Sequence, residues 1–298
     1  MRWVRSYSPD PSHRGLYRQA LVITLGGNIL LASSKAFVAY VTGSVAIYAD
    51  AANSISDVLY SLMMVLGLWM AQRPPDLSHP QGHARFEPLV GLCVSLSMGF
   101  AGYEAARASL ERFLAGGEVI QVGLPALVLV AGALIKAGMF WRIRTLARIL
   151  RSPTLDTTAK DNLSDVLTSS AAFIGAFGTR YIHPLLDPIG GFAVAAWIFR
   201  AAFNAARENL GFLTGAGASE DLRTQIVATA AAVPGVLAVH HLMAEYVGPQ
   251  LVVDMHINVL GTMSLNEAHA ISDAVIAEVE ALPEVDRAYV HVEPEGFD

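Results

Sequence analysis

Charge is scarce in this sequence and cysteine almost absent. Only 15% of the 298 residues are charged, against about 25% in soluble domains. With 53% hydrophobic residues and a mean hydropathy of +0.44, that scarcity excludes an ordinary water-soluble globular protein. The single cysteine, Cys93, lies inside an apolar run, which excludes a disulfide framework and a thiolate metal cluster; it reads as a small packing residue. Basic residues nearly vanish after Arg207, where Arg223 and Arg287 stand alone, so the net charge of -6 is unevenly spread and two regions of different character are implied. Arg2, Arg5, Arg14 and Arg18 precede the first apolar stretch, but no short apolar core with a small-residue cleavage site follows. The expectation is a retained helix rather than a signal peptide.

What is present is a series of long apolar runs. Crossing about 30 Å of hydrocarbon takes roughly 20 apolar residues in a helix. Five segments satisfy this: Gly15–Val41, Ser44–Ala71, Pro88–Leu110, Val119–Trp141 and Pro184–Phe203. A sixth, Pro153–Phe177, carries Asp156, Lys160, Asp161 and Asp165 and fails a plain hydropathy test. The flanking arginines argue that it crosses nonetheless. Arg2 to Arg18, Arg73 and Arg85, the group Arg142, Arg144, Arg148 and Arg151, and Arg207 share one side of the membrane only with six crossings, and the positive-inside rule makes that side cytoplasmic. The expected protein is a multi-pass α-helical membrane protein with both termini in the cytoplasm, placed in a bacterial inner membrane and without a nucleic-acid partner.

Thr214–Ala218 reads as a linker between a six-helix transmembrane domain over residues 1–213 and a small α+β domain over 214–298. Ser219 caps a helix to Ala232 with Glu220 and Asp221 in its first turn. Val236–Tyr246 and Leu251–Val259 alternate like strands. Ser264 and Glu267 form a capping box on a helix ending near Leu282, and Arg287–Glu293 is a third strand. The order αββαβ predicts an open-faced sandwich.

Four polar residues stand out in the apolar runs. Asn53 and Asp57, and again Asp161 and Asp165, are four apart and share one helix face. Each aspartate costs about 2.5–3.5 kcal/mol at the centre of a spanning helix, so the repeated spacing demands a use. If the two helices pack, four oxygen-donating side chains converge into a shell for a divalent cation. The bland alternative is that the acids are solvated at helix ends or pair with Lys35 and Lys136. Asp50 shares the face of Asn53 and Asp57 nearer the outer end. Lys35, Lys136 and Asn28 read as interior polar residues or salt-bridge partners. Asp76, His79 and His83 have ligand-like spacing in the loop after the second span, the alternative being a structural turn around Gly82. Alternation places Asp254, His256 and Asn258 on one strand face and Tyr289, His291 and Glu293 on another.

Together these motifs resemble the cation diffusion facilitator family. Gly43-Ser44-Val45-Ala46 with Asp50, Asn53, Ser54 and Asp57 is similar to that family's second-helix motif, and Asp161-Asn162-Leu163-Ser164-Asp165 to its fifth. His79 to Glu87, Asp187 to Gly191, Glu267-Ala268-His269 and His291 to Pro294 extend the likeness over nearly the whole chain. The resemblance implies a homodimeric, proton-coupled exporter of divalent metals working by alternating access, a transporter rather than an enzyme. It further implies a transport site at Asn53, Asp57, Asp161 and Asp165, a loop site at Asp76, His79 and His83, and cytoplasmic ligands at His240, His256, His269, His291 and Glu293. His241, His183 and His13 have no such support. Zinc-type members of the family carry histidine where this chain has Asp161, and often aspartate or histidine at the position of Asn53. The all-oxygen set favours Mn²⁺ or Fe²⁺, with Zn²⁺ as the alternative. No enzymatic cofactor is expected; the metal and protons are cargo.

Two other functions fit some of these features. An intramembrane aspartyl hydrolase would use paired acids, but the Gly-x-Gly-Asp motif that such enzymes resemble is absent. A non-transporting metal sensor would need only the histidine-bearing domain.

Overall fold

The structure, a computed structural model, describes residues 11–42, 45–116 and 124–296. It divides into two compact units, Met1–Leu210 and Gly211–Asp298.

The first unit is built from six long helices: α1 (Pro11–Thr42), α2 (Val45–Ala71), α3 (Phe86–Leu114), α4 (Leu124–Leu150), α5 (Pro153–Tyr181) and α6 (Leu186–Thr214). α6 runs four residues past the unit boundary. Four of the six are long and apolar enough to cross a membrane by length and composition, over His13–Val41, Ser54–Ala71, Phe86–Leu114 and Leu186–Thr214. α5 fails that test as expected, because it carries Asp156, Lys160, Asp161 and Asp165; Thr154, Thr157, Thr158, Asn162 and Ser164 are buried along it. α4 was expected to pass and does not; it begins at Leu124, and Val119–Gly123 lie outside the described residues. Large apolar side chains such as Val22, Phe37, Leu66, Phe100, Leu134 and Phe203 point outward, a surface suited to lipid rather than water.

With lipid outside, the bundle closes by packing and hydrogen bonds more than by apolar burial. Two glycines permit close approach: a Cβ on Gly67 of α2 would collide with Val90 of α3, and one on Gly91 of α3 with Asn209 of α6. Asn209 is fully buried and donates to Thr157 Oγ1 at 3.1 Å, tying α6 to α5. α3 is longer at its far end than the sequence suggested, and brings Arg107 and Arg112 to the end opposite Arg73, Arg85, Arg148 and Arg151. Both are neutralised there, Arg107 by Glu111 at 2.9 Å and Arg112 by Asp187 at 2.7 Å.

Arg151 and Ser152 alone separate α4 from α5. Arg151 takes a left-handed φ of 51°, the Ser152 hydroxyl caps α5 by accepting from Leu155 N at 3.1 Å, and Pro153 fits the first turn, where no N–H is needed. So tight a turn lays the two helices antiparallel along each other.

The second unit has the predicted order: α7 (Glu220–Ala231), β1 (Ala238–Val247), β2 (Gln250–Val259), α8 (Leu265–Glu280) and β3 (Val285–Pro294). Ser219 caps α7, and Ser264 with Glu267 forms the reciprocal capping box of α8. The sheet order is β1-β2-β3, antiparallel then parallel, the helix α8 making the crossover that a parallel pair needs. Leu251, Val253, Met255, Ile257 and Val259 alternate along the central strand into a core with Ile226, Val275 and Val279. Each fully buried aliphatic side chain there contributes about 1.5–3 kcal/mol. The segment Thr214–Ala218, read as a linker, is bound to β1: Ala218 N donates to Ala244 O at 2.9 Å, and Tyr246 N to Ala216 O at 3.0 Å. These bonds cover a strand edge that would otherwise be exposed.

Candidate metal centres

Within the helical unit, Asp57 of α2 and Asp165 of α5 are gathered onto one point. That point is the ammonium of Lys136 on α4, 3.0 Å from Asp57 Oδ2 and 2.6 Å from Asp165 Oδ2. The α4–α5 turn accounts for the meeting. Lys136 precedes the end of α4 by fourteen residues and Asp165 follows the start of α5 by twelve, distances of about 21 and 18 Å at 1.5 Å per residue. Asp57 is held from its own side, since Ser61 Oγ donates to Asp57 O at 2.7 Å and receives Asn28 Nδ2 of α1 at 2.7 Å. Thr158 Oγ1 reaches Met64 Sδ at 3.3 Å, a second link between α5 and α2. Asp161 lies one turn before Asp165 on the same face of α5. The side chains of Asn53 and Asp50 lie outside the described residues. Of the two lysines weighed as partners for the intramembrane acids, Lys136 does pair with them. Lys35 packs its stem near Gly132 of α4.

Among the described residues two sets of three ligand atoms lie within 4.8 Å of one another: Asp76, His79 and His83, and His240, His256 and Glu293. In the first, the loop folds around Asp76, whose Oδ1 accepts from Ser78 N at 2.9 Å and His79 N at 2.7 Å. Those backbone donors, His79 foremost, hold the carboxyl below its ordinary value. Gly82 takes a φ of +98°, a turn conformation open to glycine, which returns the chain so that the His79 and His83 ring centroids stand 4.4 Å apart. His83 is buried and stacked on Phe86, its Nε2 is 3.5 Å from Asp76 Oδ2, and its Nδ1 has no hydrogen-bond partner among the described residues. The turn is thus also a cluster of potential ligands.

The second set lies on the sheet face away from the helices. Register makes Asp254 opposite Tyr289, His256 opposite His291 and Asn258 opposite Glu293, so the two polar strand faces adjoin. Asn258 Nδ2 donates to Pro294 O at 3.2 Å, which turns its Oδ1 to His240 Nδ1 at 2.9 Å. Nδ1 must then carry the hydrogen, and Nε2 presents a lone pair to Glu293 Oε2 at 2.8 Å. Two acceptors at that distance need a proton or a metal cation between them. His256 Nδ1 is 3.8 Å and His291 Nε2 3.4 Å from Glu293 Oε1.

His269 is not brought to this cluster. It is exposed on α8 beside Asp273, at 3.7 Å. His241, set aside in the sequence, does approach: the β1–β2 register shifts between Val239 and His241, and this bulge turns both neighbouring histidines towards His256, with ring centroids at 5.5 Å for His240 and 4.7 Å for His241. A His-His pair in a strand gives no sign of a bulge. Lys136 was visible as an intramembrane charge, but its place between Asp57 and Asp165 depends on how α2 and α5 face α4.

A helical membrane unit with carboxylates converging from separate helices, followed by a small domain with a histidine–carboxylate cluster, defines a membrane protein concerned with metal cations. Residues 21–214 match the cation efflux transmembrane domain, and residues 218–295 the cytoplasmic domain of cation efflux proteins. The chain belongs to the cation diffusion facilitator family and is an integral, multi-pass transporter of divalent metal cations, not an enzyme. It is 34% identical over 274 residues to the uncharacterized transporter MJ0449 of Methanocaldococcus jannaschii, covering 92% of this chain and 96% of that one. To the manganese efflux system protein MneS of Bacillus subtilis it is 25% identical over 273 residues, covering 92% and 94%. A solved MamM C-terminal domain is 34% identical over 26% of this chain and 99% of its own, with a TM-score of 0.26.

Proposed function

We propose that the protein exports a divalent transition metal from the cytoplasm in exchange for protons, by alternating access around Asn53, Asp57, Asp161 and Asp165. One observation carries this reading: Asp57 and Asp165, on different helices and far apart in sequence, both reach a single buried cation, Lys136 Nζ. A position that satisfies an ammonium with two carboxylates suits a hard cation as well. Protons are natural counter-cargo, because ligands must be deprotonated to hold the metal and can be reprotonated to release it.

Manganese or ferrous iron is the favoured cargo, because the proposed shell offers oxygen only, and the relative MneS is named for manganese efflux. Zinc is the alternative. In this reading both termini and the histidine-bearing domain lie in the cytoplasm. The chain works as a homodimer whose cytoplasmic domains are drawn together by metal at His240, His256, His291 and Glu293. Asp76, His79 and His83 form a second cytoplasmic-side site that receives metal on its way in. Competitive uptake of Mn²⁺, Fe²⁺ and Zn²⁺ into vesicles containing the purified protein, under an imposed pH gradient, tests the proposal. Flux coupled to the gradient supports it, and binding without flux would leave the sensor reading instead.

A further inference from the structure

Lys136 is one of three lysines in the chain, is 5% exposed, and occupies the point on which the proposed transport site converges. Its ammonium touches the same two oxygens, Asp57 Oδ2 and Asp165 Oδ2, that a metal would need. A divalent cation sits about 2.0–2.6 Å from carboxylate oxygens. An ammonium at hydrogen-bond distance from both oxygens and a metal bound to both would be like charges in van der Waals contact in a medium of low dielectric, which the site cannot hold together. One must leave for the other to bind.

We propose that Lys136 is a tethered counter-cation that fills the carboxylate cluster between loads and exchanges places with the incoming divalent metal, so that its ammonium sets the affinity of the site. The inference rests on Asp57 and Asp165 being metal ligands, as the proposed function has them.

Two features favour exchange over a fixed structural pair. Lysine carries its charge on a flexible four-carbon stem with rotatable donors and can withdraw without moving α4, whereas a guanidinium would grip both carboxylates in a rigid fork. A carrier that returns without metal must also keep its intramembrane acids compensated, since unpaired charges within the bilayer are expensive. Lys136 provides that compensation, and because its ammonium is held by two helices at once, the metal-free site keeps its shape. The same ammonium then assists release by competing for the oxygens as the metal departs.

The two readings predict opposite signs. If Lys136 is only a structural partner, removing it leaves like charges crowded or the site disordered, and metal affinity falls or stays the same. If it competes with the metal, removing it tightens binding. The measurement is Mn²⁺ titration of the full chain carrying His79→Ala and His256→Ala, which removes a ligand from each of the other two clusters, followed in detergent by calorimetry. Lys136→Gln in this background is expected to lower the Mn²⁺ Kd by about tenfold or more, equivalent to ~1.4 kcal/mol, and to slow turnover at saturating Mn²⁺. Lys136→Arg preserves the ion pairs and hence the fold, and is expected to raise the Kd because the guanidinium is harder to displace. Affinity unchanged or weakened in Lys136→Gln overturns the proposal. Should that variant not fold, Lys136→Arg decides, and an unaltered Kd there overturns it equally. Asp165→Asn in the same background separates this inference from the reading beneath it: if it leaves Mn²⁺ binding intact, the site assignment itself has failed, whatever Lys136 does.

Discussion

Lys136 and Asp165, 2.6 Å apart across the α4–α5 hairpin, tie α4 to α5 through an ion pair between residues far from the turn. The two-residue turn at Arg151 and Ser152 sets both residues at nearly the same depth, and Asp57 completes the contact from α2. In this family member the proposed metal shell is therefore organised around a cation that belongs to the protein.

In the proposed function, selectivity follows from an oxygen-only shell. Asp161→His places an imidazole where zinc prefers one and removes an anionic oxygen from manganese. The ratio of Zn²⁺ to Mn²⁺ uptake is expected to rise by about tenfold, the effect of ~1.4 kcal/mol in relative ligand preference. Dual-isotope uptake into one vesicle preparation measures the ratio directly. Asn53→Asp should strengthen binding of both ions and leave the ratio nearly unchanged.

The cytoplasmic cluster should respond to metal as a folding ligand. At a metal concentration 100 times Kd, binding adds about 2.7 kcal/mol, and each kcal/mol shifts the melting temperature of a domain this size by about 4–8 °C. Residues 211–298, which enclose their own hydrophobic core, should melt about 10–20 °C higher at saturation. His256→Ala or Glu293→Gln should abolish the shift. Asn258→Ala should diminish it without removing a ligand, because the amide no longer fixes His240 with Nε2 towards Glu293. No shift in the wild-type domain would end the regulatory role, and sedimentation in the same titration tests for dimer formation.

The α8 capping box gives a pH dependence of known sign. The backbone N–H of Ser264, and then its hydroxyl, hold the Glu267 carboxyl below its ordinary value of 4.5. A group with a depressed folded pKa contributes stability that is present above its unfolded pKa and is lost as pH falls through the folded value. Glu267→Gln should accordingly lower the melting temperature of residues 211–298 at pH 7 and lose that effect as the pH drops from 4.5 downwards. A penalty that persists at pH 2.5 would contradict the charged cap.

Much of this architecture was legible because local chemistry and burial agree. Ser219, Ser264 and Glu267 announced their helices, and β2 alternates in the sequence as it does in the fold, with Leu251, Val253, Met255 and Ile257 inward. The polar fifth helix could be read through its flanking arginines. Three features escaped because they depend on partners distant in the chain. The bulge that brings His241 to His256 arises from strand register, and the binding of Ala216 and Ala218 to β1 needs a free strand edge. Lys136 reaches Asp57 only through the packing of helices around α4. Of the proposed transport ligands, the spacing of Asp161 and Asp165 was evident at once, whereas the cation between Asp165 and Asp57 was weighed only as a bland alternative.

The most direct test of the account is proton-driven Mn²⁺ flux in vesicles containing wild-type protein, Asp57→Ala or Asp165→Ala, each matched for folded protein by size-exclusion profile. Removing an acid from a spanning helix does not oppose membrane insertion, so both variants should be recovered. The account predicts saturable wild-type flux that collapses when the pH gradient is dissipated, and flux at the level of protein-free vesicles for both variants. Wild-type flux from either folded variant would contradict a transport site built on Asp57 and Asp165.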